Sequence, residues 1–381
     1  MPSETKLFET YGKNSNDLIV LIAKRVKVIE DFIAFGNVCK SWRVAATKEN
    51  FDVFALQVPL LLLADKNDDY REFYSLSKQK VLCMYLPEAR GQESFASQGW
   101  IFTYNNTGEM NLLHPFSLAQ IPLPDLFASQ GRREGLFRRG CMDDAILSVR
   151  PSLTSDYVLL IFYWGGGGNP LSFWRPGNLN WTNIIEQWGG DAFTGINYYK
   201  GQFYYVSWSA EVWAFDVPGH VPIEQCLLVQ LEADMPCHNS RLFYLVELFG
   251  ALLLVIQLFG DNDVIVGRKG GYKTLKFKVF ELDVIKGELK EEITNLGESA
   301  IFVGHNRASS VDTSMFTVVK PNHIYFVDDW YEYFNALEGG RVHRRDLVTC
   351  NLEEGKIEAF YPGVSLSPIC RQLGLHHHSD N

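Results

Sequence analysis

Residues 99–113 read GWIFTYNNTGEMNLL, and this stretch decides the class of fold. Trp100-Ile101-Phe102-Thr103-Tyr104 is a run of β-branched and aromatic residues, the types that fit a pleated surface. Met110-Asn111-Leu112-Leu113 is a second apolar run, and Asn105-Asn106-Thr107-Gly108 between them supplies turn formers. Two strands and a polar return predict a hairpin. Working outward, Gln202-Phe203-Tyr204-Tyr205 leads into Glu211-Val212-Trp213-Ala214-Phe215 in the same way. Phe277-Lys278-Val279-Phe280-Glu281-Leu282 leads toward Glu288-Leu289-Lys290-Glu291. Similar runs recur from about residue 58 onward, separated by Gly, Asn, Asp and Pro. The greasy stretch from Leu242 to Phe259 is interrupted by Glu247, Gly250 and Gln257, so it reads as two core strands joined at Phe249-Gly250 and not as a membrane span. Helical spacing is nearly absent here, apart from Asn183 to Gln187, read as a possible short helix. Units of about fifty residues with four strands each predict a β-propeller of about six or seven four-stranded blades. A pair of β-sandwiches is the alternative, but the units are similar in length and no Pro-rich linker divides them.

The N-terminal stretch has a different period. Residues 17–43 read DLIVLIAKRVKVIEDFIAFGNVCKSWR. Leu18, Leu21, Ile22 and Val26 recur at helical spacing, as do Ile29, Phe32, Phe35 and Val38. Two or three amphipathic helices this short cannot bury their apolar surface among themselves, so the module needs a partner surface. The pattern, and above all its Val38-Cys39-Lys40-Ser41-Trp42-Arg43 ending, resembles an F-box. The Leu-Pro pair that usually opens an F-box is replaced by Asn14-Ser15-Asn16-Asp17-Leu18, where Asn16 or Asp17 is expected to cap the first helix. The resemblance implies an adaptor-binding stripe of Leu18, Ile22 and Val26, with Trp42 packing the closing turn.

A second resemblance covers residues 59–370. Pro59-Leu60-Leu61-Leu62-Leu63, Phe73-Tyr74-Ser75-Leu76 and Pro87-Glu88-Ala89-Arg90-Gly91 occur in order. Ser97-Gln98-Gly99-Trp100, Leu112-Leu113-His114-Pro115-Phe116-Ser117 and Lys320-Pro321-Asn322-His323-Ile324-Tyr325-Phe326-Val327-Asp328-Asp329 follow. The series is similar to the plant F-box-associated β-propeller family. That resemblance implies three parts: an α-helical F-box at 14–50, a mainly β propeller at 59–370, and a flexible tail at 371–381. It also implies a substrate-recognition subunit of a cullin–RING (SCF-type) E3 ubiquitin ligase. The F-box would dock on a Skp-type adaptor and through it a cullin, and the propeller would hold a target protein.

The composition agrees with a globular binding protein. Of 381 residues, 46% are hydrophobic and 21% charged. A net charge of -10 without a basic stripe argues against nucleic acid as the main ligand. Seven cysteines without a Cys-x-x-Cys pair read as free, mostly buried thiols in a reducing compartment, cytoplasm or nucleus. No apolar leader is visible at the N-terminus.

Catalytic signals are weak throughout. Gly165 to Gly168 lacks the Lys-Ser/Thr and helix of a phosphate loop and reads as a hairpin tip. Asp143-Asp144, Glu291-Glu292, Asp328-Asp329 and Glu353-Glu354 are adjacent carboxylates, which point to opposite faces of a strand rather than across a pocket. His114, His305 and His323 are expected to be structural, and His376 to His378 to lie in the tail. No cofactor, metal site or enzymatic activity is expected; a propeller glycosidase or lactonase is the least favoured alternative, since it needs convergent acids or a metal in the central channel. A propeller binding module uncoupled from ubiquitination stays open. Trp164, Trp174, Trp181 and Trp188 crowd around the glycine tip. Because Trp and Tyr dominate binding hot spots, Trp164, Gly165, Gly168, Trp174, Arg175 and Trp188 are the candidate target-binding residues. Arg132-Arg133 and Arg138-Arg139 read as a solvated loop, with an acidic partner as the alternative.

Overall fold

The computed structural model describes residues 16–47, 50–51, 60–62, 69–105, 107–126, 142–163, 171–185, 193–217, 225–231, 241–261, 272–304, 307–327, 347–360 and 371–373. The chain divides into two compact units, the first within residues 1–57 and the second spanning Val58–Gly374.

The first unit is helical. α1 covers residues 16–23, α2 Ile29–Gly36 and α3 Lys40–Ala45. Asn16 and Asp17 lie inside the first turn of α1, so neither is its cap; the capping position is outside the described residues. Ala23, Phe32, Phe35 and Ala45 form a small buried core, with Val26, Trp42 and Phe51 packed against it.

The second unit is built from sheets. β1 is Leu60–Leu62, β2 Tyr70–Ser75 and β3 Lys80–Tyr85. β4 is Glu93–Ser97, β5 Trp100–Tyr104, β6 Met110–Leu113 and β7 Gln120–Leu123. β8 is Met142–Leu147, β9 Leu159–Tyr163, β10 Leu171–Trp174 and β11 Thr182–Ile185. β12 is Phe193–Tyr199, β13 Gln202–Ser207, β14 Glu211–Phe215 and β15 Gln225–Gln230. β16 is Arg241–Leu248, β17 Ala251–Asp261, β18 Tyr272–Asp283 and β19 Glu288–Glu292. β20 is Ser299–Gly304, β21 Arg307–Asp312, β22 His323–Val327, β23 Leu347–Asn351, β24 Ile357–Ala359 and β25 Arg371–Leu373.

Consecutive strands β4–β7, β8–β11, β12–β15 and β16–β19 each make one four-stranded meander, and β25-β1-β2-β3 makes a fifth. The remaining sheet has five strands in the order β21-β20-β22-β23-β24, with β20 and β22 parallel. The expectation of six or seven four-stranded blades is therefore corrected to five regular blades, beside one sheet of another pattern. Its cause is local. β21 turns back against β20 and occupies the inner edge beside β16, so β22 must cross over to pair on the far side of β20. The expected helix at 183–187 is also corrected. Thr182–Ile185 is strand β11, because so short a segment cannot nucleate a helix when β10 offers a ladder.

The sheets close on one another. β25 lies against β4, β4 against β8, β8 against β12, β12 against β16 and β16 against β21, and β20 returns to β25. Between each neighbouring pair sits a separate apolar core. β17 shows how one strand feeds two of them. Leu252, Leu254 and Ile256 face β12–β15, while Leu253 and Val255 face the five-stranded sheet. Alternate side chains point to opposite faces, and here both faces are covered. This is why β5 and β9 are buried along their whole length and read as unbroken apolar runs. Polar latches span the same seams. Arg71 Nη2 donates to Ser94 Oγ at 2.7 Å, Leu147 N–H donates to Ser97 Oγ at 2.7 Å, and Tyr199 O–H donates to the Gly250 carbonyl at 2.5 Å.

Three inner hairpins share one turn. Gln98-Gly99, Lys200-Gly201 and Phe249-Gly250 each place both central residues at positive φ, the requirement of a type I′ turn, which glycine meets without a Cβ clash. Of the four described cysteines, none is in a disulfide; Cys39, Cys83 and Cys226 are exposed, which corrects the expectation of mostly buried thiols. Cys350 is buried, and burial raises its thiol to about 11. Arg371–Leu373 is strand, so the expected tail at 371–381 began too early.

Two outcomes follow for stability. β25 pairs Leu373 with Leu60, Gln372 with Leu61 and Arg371 with Leu62. Ending the chain at residue 370 removes this ladder and leaves β1 an open edge. A loss of about 3 kcal/mol, at roughly 1 kcal/mol per strand bond, should lower the calorimetric midpoint by on the order of 10 °C. An unchanged melt would place the closure elsewhere. The second outcome concerns His114, whose ring is edge-on to Trp100 at 5.2 Å and accepts the Ser117 N–H at Nδ1. Burial, aided by the Arg150 charge, lowers its pKa to about 4. The unfolded ring binds its proton near 6.5, so between 6.5 and 4 the unfolded state holds more protons. This contribution is whole above pH 6.5 and fades as pH falls toward 4. Melting temperatures across that range should decline less steeply in His114→Gln than in the native chain.

Candidate functional site

Two surfaces carry the candidate chemistry, one on each unit. On the helical unit, Leu18, Leu21 and Ile22 are 61%, 58% and 41% exposed. They occupy one side of α1, three and four residues apart. Val38 and Val44, flanking and within α3, are also exposed. Val26 departs from the expected stripe. α1 ends at residue 23, and the chain tightens through Arg25 N–H to the Ile22 carbonyl and Val26 N–H to the Ala23 carbonyl. These three-residue steps break the helical phase and turn Val26 toward the small core. Leu21 takes its place in the exposed set. Trp42 is half-buried and packs on Phe35 with ring centroids 4.4 Å apart. The Cys39 carbonyl receives the Arg43 N–H, so the Cys-Lys-Ser-Trp-Arg motif forms the entry of α3. Asn50 Nδ2 closes the far end on the Ala45 carbonyl at 3.0 Å.

On the sheet unit, Trp164, Gly165, Gly168 and Trp188 lie outside the described residues, as do Asp328-Asp329, the arginine pairs at 132–139, His305 and the His376 to His378 run. Trp174 is buried, and its Nε1 donates to the Asn178 carbonyl at 2.9 Å. It belongs to the core between β4–β7 and β8–β11 and offers no face to a partner. Arg175 is half-buried; its guanidinium donates to the Val217 carbonyl and meets Asp156 at 3.5 Å. It ties β10 to the loop after β14, a seam contact. Trp181 reaches the Pro124 carbonyl at 2.8 Å in the same way.

The paired carboxylates have local work. Asp144 accepts the N–H of Ala145, and Glu353 accepts Asn295 Nδ2 at 2.9 Å. Glu292 sits on the outer strand β19, 3.8 Å from Lys278. His323 donates from Nδ1 to the Pro321 carbonyl at 2.6 Å.

The topology gathers a different set of side chains. A meander of four strands brings the chain in and out on the same side, so its first and third turns share the opposite face. Leu118, Leu153, Leu179, Phe249 and Ile285 all sit in such turns and are 56%, 50%, 86%, 76% and 93% exposed. Phe249 and Leu118 also hold positive φ, a costly conformation for a large side chain. Nothing in the strand periodicity singled these residues out, because each is a lone apolar residue in a turn.

The comparisons with known proteins agree with this layout. The KIB1-4 β-propeller family matches residues 73–357. Three relatives come from Arabidopsis thaliana. F-box protein At3g56470 is 26% identical over 167 residues, covering 42% of this chain and 43% of that protein. F-box protein At2g26160 is 25% identical over 342 residues, covering 82% and 94%. F-box protein SKIP23 is 24% identical over 387 residues, covering 90% and 89%. The chain thus spans less than half of the first relative and nearly the whole of the other two. A helical N-terminus, a closed set of β-sheets and relatives that are plant F-box proteins lead to one assignment: this chain belongs to the KIB1-4 β-propeller family.

Proposed function

We propose that this protein is the substrate-recognition subunit of a cullin–RING (SCF-type) E3 ubiquitin ligase. The helical unit docks on a Skp-type adaptor, and through it a cullin, while the propeller holds a target protein. The observation that carries this reading is the apolar side of α1. Leu18, Leu21 and Ile22 stand exposed on a unit whose core, among the described residues, holds four buried apolar side chains. An exposed apolar side on so small a unit marks a protein-docking surface. The F-box names of the relatives fit an adaptor as that cover.

The chain supplies no chemistry of its own in this reading. It supplies proximity, raising the local concentration of a target lysine beside a charged E2 enzyme. The target is expected on the turn face, where Phe249, Leu153 and Ile285 stand out from rigid hairpins. Exposed apolar anchors on a fixed frame are what a protein hot spot requires.

Replacing Leu18 and Ile22 together by Asp should weaken adaptor binding by more than about 30-fold, or roughly 2 kcal/mol, with the propeller melt unchanged. Val26→Asp should instead unfold the helical unit, because Val26 packs into its core. Adaptor co-purification at native strength from the double variant would refute the docking assignment. For the target, proximity labelling with Phe249→Asp/Ile285→Asp should lose a set of native neighbours while adaptor capture persists. An identical neighbour set would rule out the turn face.

A further inference from the structure

Among the described strands, the outer strand of each sheet pairs on one side alone, and the chain protects these outer edges unequally. β7 carries Pro122 in its middle, which cannot continue a ladder. β19 reads Glu-Leu-Lys-Glu-Glu and is guarded by charge. β11 and β24 are only four and three residues long. β15 is uncharged, but the β18–β19 turn presses on it: a Cβ at Gly287 would meet the Leu228 carbonyl oxygen at 2.8 Å. β3, Lys-Val-Leu-Cys-Met-Tyr, has six residues, no Pro and a single charge at its first position. Among the described strands only β2 pairs with it.

We infer that β3 is a self-pairing edge through which two copies of this chain join antiparallel about Cys83. The backbone phase supports this. Leu86 N–H donates to the Asp69 carbonyl at 2.9 Å, one step beyond the Tyr70–Tyr85 pair. Bonded and non-bonded pairs alternate along an antiparallel ladder. Arg71–Met84, Phe73–Leu82 and Ser75–Lys80 are therefore the bonded pairs. Val81, Cys83 and Tyr85 direct their N–H and C=O groups away from β2, toward the open edge. Their side chains share the solvent face: Val81 is 39% and Tyr85 53% exposed, and Cys83 is exposed. Leu82 and Met84 pack inward.

The three outward residues are symmetric about Cys83. An isologous pairing sets Cys83 against Cys83 of the second copy and Val81 against Tyr85 in both directions, with about six new backbone bonds. Aromatic against β-branched is a favourable cross-strand pair. Lys80 falls opposite Leu86, so its charge does not meet itself. The Tyr70 ring, 5.4 Å from Tyr85, widens the contact on the same face. Six residues a side is a small interface, so the dimer is weak and concentration-dependent.

Sedimentation velocity of the full chain with reductant tests this. Dimer should appear between about 1 and 200 μM, the range of a small edge contact. Cys83→Lys should stay monomeric throughout, since like charges then face each other across the two-fold axis, with its melt unaltered because the position is exposed. Cys83→Ser should dimerise as the native chain does. Copper-phenanthroline oxidation should trap a Cys83–Cys83 link, identified by mass spectrometry, because bonded pairs place Cα atoms about 5.5 Å apart, within disulfide reach. That link should survive Cys39→Ser/Cys226→Ser and vanish in Cys83→Ser. A native chain that is monomeric at 200 μM overturns the inference and leaves the edge to a foreign strand. A dimer that withstands Cys83→Lys overturns it equally, since the contact then lies elsewhere.

Discussion

The propeller depends on pairing between its two ends. β1 and β25 are three residues each and lie more than three hundred positions apart in the chain, yet they supply neighbouring strands of one sheet. Without that ladder the sheets would form an open arc, with an unpaired edge at one end and a half-covered core at the other. With it, every sheet has two neighbours, and strands such as β5 and β9 bury both faces. The distribution of apolar residues follows. Leu159, Ile161 and Tyr163 serve one core while Leu160 and Phe162 serve the next, within a five-residue strand. A change on one face of an inner strand is felt at one seam, and the seam beyond it is reached only through the sheet.

The helical unit shows the opposite balance. Among the described residues its buried core is four side chains, and ring contacts among Phe32, Phe35, Trp42 and Phe51 do much of the packing. A core of that size covers one side of three short helices and leaves the other side in water. The exposed Leu18, Leu21 and Ile22 are thus a consequence of the unit's size. The propeller carries its exposed turn residues on a frame with many seams, and the helical unit carries its exposed apolar side on a minimal one.

Edges are handled by a third logic. A propeller with four-stranded blades has one outer edge per sheet, and each edge is a template for pairing. Proline, charge, brevity and steric cover protect most of them. Among the described outer strands β3 uses none of these beyond Lys80 and is the least protected.

Much of this was legible in the residues themselves. The hairpin at 100–113, the pair of strands joined at Phe249-Gly250 and the amphipathic run at 17–43 each follow from local periodicity and turn chemistry, which act over a few residues. What distance separates, periodicity does not report. Val26 continues the apolar spacing of α1, but the helix ends at residue 23 and the tertiary turn sends its side chain inward. Trp174 looks like a binding aromatic beside a glycine tip, yet the neighbouring sheet covers it. Arg371-Gln372-Leu373 has no strand signature and resembles a fraying tail; β1 makes it a strand by offering open bonds. The crossover of β22 past β20 goes with β21 taking the other side of β20, a choice between ladders that alternating patterns satisfy equally well. The sequence by itself determined most of the strands, turns and helices, because those choices rest on local sterics and burial; Thr182–Ile185 and Arg371–Leu373 became strands only through the ladders that β10 and β1 offer. The tertiary structure alone decided which strands are neighbours, which apolar residues remain exposed and which edge stays open, because each depends on what the rest of the chain brings beside it.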